Sequence, residues 1–401
     1  MPARVVAIWN ELTPYRLHVM RRVRREAPDI EVVNAFTHSV TTNSSPWKMD
    51  VDDGLGIWFD EANRIRRPEQ FLHRGRRALA GKLEALVSDR RPDFVLMHGH
   101  NDAVRLGLIR RFRRMGIPMA HASDANVFCE MPGTGVRRIA LMGYRAVRSW
   151  ILGHFDAYMP MGTAGRAFYD VFGRPGVPCF PFPYEPDYDH LNGPTADEVE
   201  SFRARHGIEA SRRYLLCSSR LVPVKRVDIV LQAFARIAGA RPQWDLLVAG
   251  DGPLRQELES TAGQSIPGRV KFLGFVQMDD LRCAYRLADG LVHASEREPW
   301  ALVINEAANA GLPIIATDVT GAAIELVRDR VNGRLVRPGC TDDLADAMAW
   351  LTGQADLGPL RAGSGRLLRE WRAQADPVEG FRATTEYFSR RRRQGRADDR
   401  G

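Results

Sequence analysis

Two features that define whole classes of protein are scarce in this 401-residue sequence, namely long apolar runs and cysteine. No stretch approaches the about 18 uninterrupted apolar residues that a membrane-spanning helix needs. The five cysteines stand singly, without a CxxC pair, which argues against a zinc site and favours reduced thiols. The opening MPARVVAIWNELTPYR breaks its short apolar run with Asn10 and Glu11, unlike a secretory leader. We therefore expect a cytoplasmic protein.

Length and composition predict a globular chain of two domains. At 401 residues the sequence exceeds the roughly 250–300 residues over which one hydrophobic core keeps growing. Its 44% hydrophobic and 26% charged residues are typical of a folded protein, which argues against global disorder.

The positive charge is concentrated in the first half. Residues 1–185 carry 27 Arg and Lys against 19 Asp and Glu, whereas the remainder carries 30 of each. Basic runs at residues 21–25, 64–77 and 110–114 are candidates to face an anionic membrane surface or an anionic acceptor. Solvated helix faces are the alternative. Nucleic acid is not expected as a partner, because no recognition motif accompanies the charge.

Short apolar runs alternate with helical periodicities along the chain. In the first half, strands are predicted at residues 4–9, 94–97, 118–121 and 157–160, and helices at 17–25 and 103–115. In the second half, strands are predicted at 214–218, 245–249, 270–273, 290–293 and 314–316, and helices at 227–238, 254–262, 279–287 and 302–310. This alternation predicts an α/β protein with two Rossmann-like doubly wound domains facing across a cleft.

A proline-rich segment at residues 173–194 is the predicted linker between the domains. The predicted domains are residues 1–185 and 186–375. Residues 376–401 are predicted to return to the first domain as a helix at 379–388 and to end in SRRRRQGRADDRG, a solvated and disordered basic tail.

Two glutamates lie at a predicted loop-to-helix junction. Glu298 precedes the helical periodicity that begins near Leu302, and Glu306 lies about one turn inside it. The unpaired amides of a first helical turn favour a phosphate, and carboxylates beside them accept hydrogen bonds from sugar or ribose hydroxyls. The alternative is a pair of solvated acids at a helix start, where acidic residues are favoured in any case.

Two cations follow the first predicted strand of the second half. Arg220 and Lys225 lie in the segment SSRLVPVKR, at the carboxyl end of that strand. There they could neutralise a pyrophosphate, arginine through its planar fork and lysine as a mobile point charge. Ordinary surface charge is the alternative. Together with the two glutamates, one site would offer cations for a diphosphate and carboxylates for sugars.

Four blocks of the second half resemble, in order, the retaining family 4 glycosyltransferases of GT-B fold. They are SRLVPVKRVDIVLQAF, LLVAGDGPLRQELE, VKFLGFVQMDDLRCAYRLADGLVHAS and EPWALVINEAANAGLPIIATDVTGAAIELVRDRVNGRLVRPG. The resemblance covers about residues 213–350. It implies a hexosyltransferase that uses a nucleotide-diphosphate sugar as donor, retains anomeric configuration and needs neither a metal ion nor a cofactor. The first domain would then bind the acceptor, and the second the donor.

The resemblance assigns roles to the four charged residues. Arg220 and Lys225 match the arginine and lysine that bind the donor diphosphate in this family. Glu298 matches the glutamate that binds the donor sugar, and Glu306 the one that binds the ribose. No general base is assigned, since attack in retaining members is thought to occur on the face from which the leaving group departs.

The resemblance also implies backbone contacts beyond these side chains. Trp300, Ala301 and Leu302 would meet the phosphates and the sugar, and the loop ending at Val276 would lie against the base. This sequence has Trp300-Ala301 where the family has Phe-Gly. We therefore expect the sugar end of the pocket to be shaped differently.

The first half departs from the family pattern at its first loop. NELTPYR, at residues 10–16, replaces the glycine-rich loop, and Tyr15 and Arg16 are candidate acceptor-cleft residues.

A second departure concerns a histidine that many members place close to the transferred sugar. Asp124 stands at that spacing, where it could position a hydroxyl; an Asp capping the next helix is the alternative. His121 is predicted to be a packed core histidine. His100, after the permissive Gly99, is predicted to face the substrate. Asp124 joins Arg220, Lys225 and Glu298 as the predicted catalytic set.

Three other functions fit parts of the pattern. An inverting GT-B transferase would need a clear base in the first half. A phosphorylase or a sucrose-phosphate-synthase-like enzyme shares the nucleotide-binding architecture. A non-catalytic binding protein of the same fold is opposed by the intact set of charged residues. The favoured function is hexose transfer to a glycan or lipid-linked acceptor at the cytoplasmic membrane face, in polysaccharide or glycolipid biosynthesis.

Overall fold

The computed structural model describes residues 2–37, 47, 54–58, 76–100, 102–130 and 138–398. The chain forms two compact units: unit 1 consists of Met1–Glu185 with Ala375–Gly401, and unit 2 of Pro186–Gln374. Most of the predicted basic run at residues 64–77 lies outside the described residues. Of the helices that the structure describes, none is both long and apolar enough to cross a membrane.

Unit 1 is built on a six-stranded sheet. Its strands are β1 (Ala3–Trp9), β2 (Ile30–Phe36), β3 (Gly56–Trp58), β4 (Phe94–His98), β5 (Met119–Ser123) and β6 (Ala157–Pro160). Its helices up to Glu185 are α1 (Pro14–Glu26), α2 (Arg76–Arg90), α3 (Ala103–Arg114), α4 (Val127–Glu130), α5 (Arg138–Leu152) and α6 (Gly162–Phe172). All strands are parallel, in the order β3-β2-β1-β4-β5-β6.

Unit 2 repeats this plan with six further strands. They are β7 (Arg213–Ser218), β8 (Trp244–Ala249), β9 (Val270–Gly274), β10 (Gly290–His293), β11 (Ile314–Thr317) and β12 (Gly333–Val336). The first helices are α7 (Tyr188–Leu191), α8 (Ala196–His206), α9 (Val227–Ala238), α10 (Arg255–Ser265) and α11 (Met278–Leu287). The others are α12 (Leu302–Asn309), α13 (Gly321–Leu326), α14 (Thr341–Thr352) and α15 (Gly358–Gln374).

The two sheets have the same connectivity. Read from its far edge, the parallel sheet of unit 2 runs β9-β8-β7-β10-β11-β12, which repeats the order of unit 1. This is the doubly wound Rossmann arrangement. The order in which strands are added to the sheet reverses between the first and fourth strands, and ligands bind there, beyond the carboxyl ends of the strands. The α/β fold predicted from the alternation is confirmed.

Apolar side chains on both faces of each strand produce this layering. Val6 and Ile8 of β1 belong to a core that includes residues of α2 and α3, whereas Val5 and Ala7 belong to a core on the other face, which includes residues of α1. All four are buried, as a parallel strand covered by helices on both sides requires.

The last helix, α16 (Pro377–Asp398), belongs to unit 1 and corrects the predicted disordered tail. It extends ten residues beyond the predicted end at Phe388. The ring of Phe388 stacks on Phe94 with centroids 4.5 Å apart, and the basic end is paired, since Arg392 donates to Asp93 and Arg391 lies 3.4 Å from Asp156. The arginine run at residues 390–393 therefore lies on a helix rather than in a disordered segment, while its side chains are exposed to solvent as predicted.

Candidate functional site

A buried ion pair lies beyond the carboxyl ends of β7 and β10, which are neighbours in the sheet. The chain leaves β7 through a loop and a 3-10 turn, Pro223–Lys225, while Glu298 lies in the loop after β10. The Lys225 ammonium donates to the Glu298 carboxylate, and both side chains are largely buried. Ser295 Oγ donates to the same carboxylate oxygen at 3.1 Å. Two of the four charged residues predicted from sequence are thus in direct contact.

The environment of Glu298 keeps it ionised. Burial alone would raise the pKa of this carboxyl, but His293 at 3.4 Å and the charge of Lys225 outweigh burial and lower the pKa to about 2. His293 is the last residue of β10, and burial lowers its own pKa. At neutral pH the site therefore contains a fixed carboxylate held by a lysine.

Glu306 is in the opposite electrostatic state. It lies in α12 and is buried, and it accepts a 2.6 Å hydrogen bond from the hydroxyl of Tyr285 on α11. Burial raises its pKa to about 7, because no cation compensates the loss of solvent. Ser218, the last residue of β7, lies beside the same tyrosine hydroxyl. Glu306 therefore belongs to the same sheet edge as Lys225, through Tyr285 and Ser218.

Arg220 stays in solvent on the loop that leads to Lys225. Its side chain is exposed, and among the described residues we find no hydrogen bond or ion pair to its guanidinium. The loop beneath it is fixed by two glycines of the β8–α10 turn. A Cβ at Gly250 would lie 1.8 Å from the Ser219 carbonyl oxygen, and one at Gly252 would lie 2.5 Å from that of Leu221. These close approaches fix the backbone that carries Arg220, while its guanidinium stays exposed to solvent and can bind an anion.

The Trp300-Ala301 pair has a structural explanation. Ala301 has a φ of +72°, in the left-handed region that glycine adopts without cost, and it directly precedes α12. Trp300 is buried, and its ring lies 5.5 Å from that of Trp371 on α15. The tryptophan therefore packs into the interior of unit 2, and the alanine holds the conformation that the family's glycine would supply.

Two other predicted contact residues flank this segment. Leu302, half-buried, is the first residue of α12. Val276 is buried in the loop after β9, where Gly274, with a φ of +72°, accepts a 2.7 Å hydrogen bond from the Gly250 amide. The loop predicted to face a base is thus tied to the turn that supports Arg220.

In unit 1 the predicted acceptor residues gather around a tyrosine that the sequence reasoning missed. Arg16 is buried and donates to the Tyr184 hydroxyl at 3.2 Å, while the rings of Tyr15 and Tyr184 lie 4.6 Å apart. Burial and the nearby Asp124 carboxylate raise the pKa of Tyr184. The same hydroxyl lies 2.6 Å from Nε2 of His98. Tyr184 lies in the segment that was predicted to be a proline-rich linker, so its contacts with Arg16 and His98 were not predicted.

His100 is buried rather than open to solvent. Its Nδ1 lies 2.9 Å from Nε2 of His121, and Nδ1 of His121 lies 2.7 Å from the Tyr169 hydroxyl. Burial lowers the pKa of His100 to about 4 and that of His121 well below its usual value. Arg148, a donor only, lies 3.4 Å from Nε2 of His100, which favours the tautomer with the proton on Nδ1. His121 is the packed core histidine that was predicted.

Comparison with known proteins identifies residues 198–357 as a match to the family model described as glycosyl transferases group 1. An uncharacterised glycosyltransferase of Methanocaldococcus jannaschii is 33% identical over 150 residues, 37% of this chain and 38% of that protein. The D-inositol 3-phosphate glycosyltransferase of Mycobacterium tuberculosis is 35% identical over 153 residues, 36% of this chain and 31% of that protein. The chain thus spans less than half the length of these curated relatives.

Solved structures match over nearly the whole chain. HepE of Anabaena in complex with UDP and glucose has a TM-score of 0.69 at 19% identity, over 96% of this chain and 99% of that one. Sucrose-phosphate synthase of Thermosynechococcus elongatus has a TM-score of 0.73 at 18% identity, over 99% of this chain and 100% of that one. At such identity the likeness shows the fold alone.

Proposed function

We propose that this chain is a glycosyltransferase that moves a hexose from a nucleoside-diphosphate donor bound by unit 2, because residues 198–357 match the glycosyl transferases group 1 model and nearly the whole chain shares the fold of HepE and sucrose-phosphate synthase. The observation that carries the proposal is the buried Lys225–Glu298 pair together with buried Glu306, all at the carboxyl edge of the sheet of unit 2. This is the edge at which doubly wound sheets bind ligands. HepE, whose fold this chain shares, holds UDP and glucose, which are ligands of the class proposed here.

The cations would act on the leaving group. When the bond between sugar and diphosphate breaks, negative charge develops on the departing phosphate oxygen. The exposed Arg220 and the ammonium of Lys225 would stabilise that charge, together with the first amides of α12, which point out of the helix at its amino end. This is the task that a divalent cation performs in other transferases, so we propose that no metal ion is required.

The two glutamates would divide the recognition of hydroxyls. Glu298, ionised and held by Lys225 and Ser295, would accept from a hydroxyl of the donor sugar. One carboxylate oxygen of Glu306 accepts a hydrogen bond from Tyr285, and the other would accept a hydrogen bond from a ribose hydroxyl. Hydrogen bonds from a ribose diol favour the ionised carboxylate and would offset the burial that raises its pKa.

We further propose that unit 1 binds the acceptor and that transfer retains the anomeric configuration. Tyr15, Arg16 and Asp124 around Tyr184 offer a cation, a carboxylate and hydroxyls to a glycan or lipid-linked acceptor. The arginine excess of residues 1–185 also supports contact with an anionic membrane surface. In unit 2, Glu298 is engaged by Lys225 and Ser295, which suits a binding role better than that of an enzymatic nucleophile.

Turnover of nucleotide sugars in EDTA tests the proposal. A thermal-shift screen of UDP-, GDP-, ADP- and dTDP-sugars first selects the donor, since a ligand that binds the folded state stabilises it by mass action. Lys225→Ala should then lower kcat by about 10²–10³-fold, the usual effect of losing one charge-stabilising group. Glu306→Gln should weaken donor binding by about tenfold or more, because a hydrogen bond to a charged acceptor is worth about 1.5–3 kcal/mol.

The matched control is Arg236→Ala, which removes an exposed arginine of unit 2 that pairs with exposed Asp342. It should leave turnover unchanged. Wild-type loss of activity in EDTA would overturn metal independence, and full activity of folded Lys225→Ala would overturn the assigned site. The anomer of the product, read by NMR, separates retention from inversion.

A further inference from the structure

Exposed apolar side chains are distributed unequally between the two units. Among the described residues, six large hydrophobic side chains are exposed, and five of them belong to unit 1. Three lie on α5: Met142 is 63% exposed, Val147 59% and Trp150 48%. The concentration of these side chains on one helix marks that helix as an interaction surface.

The exposed residues of α5 form a continuous stripe along its outer face. Met142, Ala146 and Trp150 are spaced by four residues, and Gly143 and Val147 lie beside them on the same side. All five are exposed, and none carries a charge. The stripe is therefore an uncharged surface of about two helical turns that faces solvent.

The inner face of the same helix packs on the core of unit 1. Ile151 and Leu152 are buried in the core of unit 1, and Tyr144 packs against that core. Fold stability accounts for these inner residues, but it gives no reason for an apolar outer stripe, because an amphipathic surface helix normally presents polar residues to solvent.

The charged residues of α5 and of α3, which contacts it through Arg110, are all basic. The segments of α3 and α5 contain no Asp or Glu. Arg145 is exposed on α5, and the guanidinium of Arg110 on α3 lies over the Trp150 ring, 5.1 Å from its centroid. Helices that lie in a membrane interface combine tryptophan and aliphatic side chains with arginines in this way.

We propose that the outer face of α5, with Arg110, docks unit 1 on an anionic lipid surface. Met142, Val147 and Trp150 enter the boundary between headgroups and acyl chains, and the guanidinium groups of Arg110 and Arg145 contact lipid phosphates. This surface is made of residues other than those of the donor site in unit 2. Its failure and the failure of the proposed sugar transfer are therefore measured separately.

Charge decides between a lipid surface and a second copy of this chain. A two-fold dimer through this face would bury Arg110 and Arg145 of both copies in one interface, with no acid on either helix to neutralise them. Nucleic acid would satisfy the arginines but would leave the protruding Met142 and Val147 without an apolar partner. An anionic bilayer satisfies both kinds of group.

Vesicle co-sedimentation of the full chain tests the proposal. Wild type should bind phosphatidylcholine vesicles that contain phosphatidylglycerol, bind pure phosphatidylcholine vesicles weakly, and dissociate as salt is added. The double variant Met142→Asp, Val147→Asp should bind about tenfold or more weakly, since it removes two apolar contacts and adds two repelled charges. Its thermal melt should match wild type, because both side chains are exposed.

The matched control is Val331→Asp, which places an acid at the exposed large apolar side chain of unit 2. It should bind vesicles like wild type. Absence of binding to anionic vesicles at low salt, or equal binding by wild type and the double variant, would overturn the proposal. Two further results would overturn it: a wild-type dimer, or wild-type binding to duplex DNA, that the double variant loses and Val331→Asp keeps. Either result would show that the face binds that partner instead of lipid.

Discussion

In unit 1 the first strand of the sheet, β1, is followed by a loop that leads to buried Arg16, and in unit 2 the equivalent strand, β7, is followed by a loop that leads to Lys225. The fourth strands, by contrast, lead to groups of different charge. β4 ends at neutral His98, whereas the loop after β10 carries ionised Glu298. One connectivity thus supports two chemistries, because topology determines where a site lies and side chains determine what it binds.

The two edges also treat buried charge differently. Unit 2 keeps an ionised pair, Lys225 and Glu298, and a second carboxyl, Glu306, that burial brings to a pKa of about 7. Unit 1 keeps histidines that burial holds neutral. A diphosphate donor needs fixed charges, whereas the neutral imidazoles and hydroxyls of unit 1, beside Arg16 and Asp124, offer an acceptor neutral hydrogen-bonding groups as well as charge.

The pH dependence of stability should separate the units most clearly. Between its usual pKa of 4.5 and its raised pKa of about 7, Glu306 binds more protons folded than unfolded, so rising pH lowers the free energy of unfolding of unit 2. His100 behaves oppositely. Between about 4 and 6.5 the unfolded histidine binds more protons, so falling pH destabilises unit 1. Each effect is on the order of 3 kcal/mol across its window.

Hydrogen exchange of each unit between pH 4 and pH 8 measures these slopes. Glu306→Gln should remove the loss of unit 2 stability at high pH, and His100→Asn should reduce the loss of unit 1 stability at low pH. The same slope in both units, or an unchanged slope in Glu306→Gln, would contradict the contrast in burial.

A second comparison concerns glycine at the two sheet edges. Gly250→Ala should destabilise unit 2 by on the order of 3 kcal/mol, because its Cβ would lie 1.8 Å from a carbonyl oxygen of the loop that carries Arg220. Gly99→Ala should cost unit 1 only about 1 kcal/mol, because its φ is positive but the added Cβ would lie 3.9 Å from the side-chain amide of Asn10, an ordinary contact distance. Chemical denaturation of the two variants measures the difference, and equal losses would contradict it.

The smallest expected effect concerns Ala301. Replacing it with glycine should stabilise unit 2 by about 0.5–1 kcal/mol, because relief of the left-handed backbone, about 1–2 kcal/mol, exceeds the entropy that glycine adds to the unfolded chain. Ala310→Gly is the control, since Ala310 has an ordinary φ of −71° at the end of α12 and glycine there should not stabilise. Thermal melts of both variants provide the measurement.

Much of the fold follows from local patterns. The predicted strands at residues 4–9, 157–160 and 290–293 are confirmed, because continuous apolar runs are typical of parallel strands covered on both faces. β2 was missed, since its IEVVNAF sequence contains Glu31 and Asn34. Asn34 can be buried there because its amide oxygen accepts a 2.9 Å hydrogen bond from Trp9 and its amide nitrogen donates to the Leu55 carbonyl at 3.0 Å, contacts that no local pattern reveals.

The candidate site, like the fold, could be predicted from local sequence only in part. The charged residue types and their places after strands could be read from sequence, and this identified Arg220, Lys225, Glu298 and Glu306 as candidates. The tail was misread because the partners of its arginines, Asp93 and Asp156, lie more than 200 residues away in the chain.

Sequence alone determined that this chain alternates strand and helix twice over and that two cations and two carboxylates follow strands of its second half. Local periodicity and residue chemistry suffice for that. Tertiary structure alone decided that His293 and Lys225 hold Glu298 ionised, while burial raises the pKa of Glu306 to about 7 despite the hydrogen bond from Tyr285. The reason is physical: a carboxyl's charge state depends on the solvent and the partners around it, and these come from residues distant in the chain.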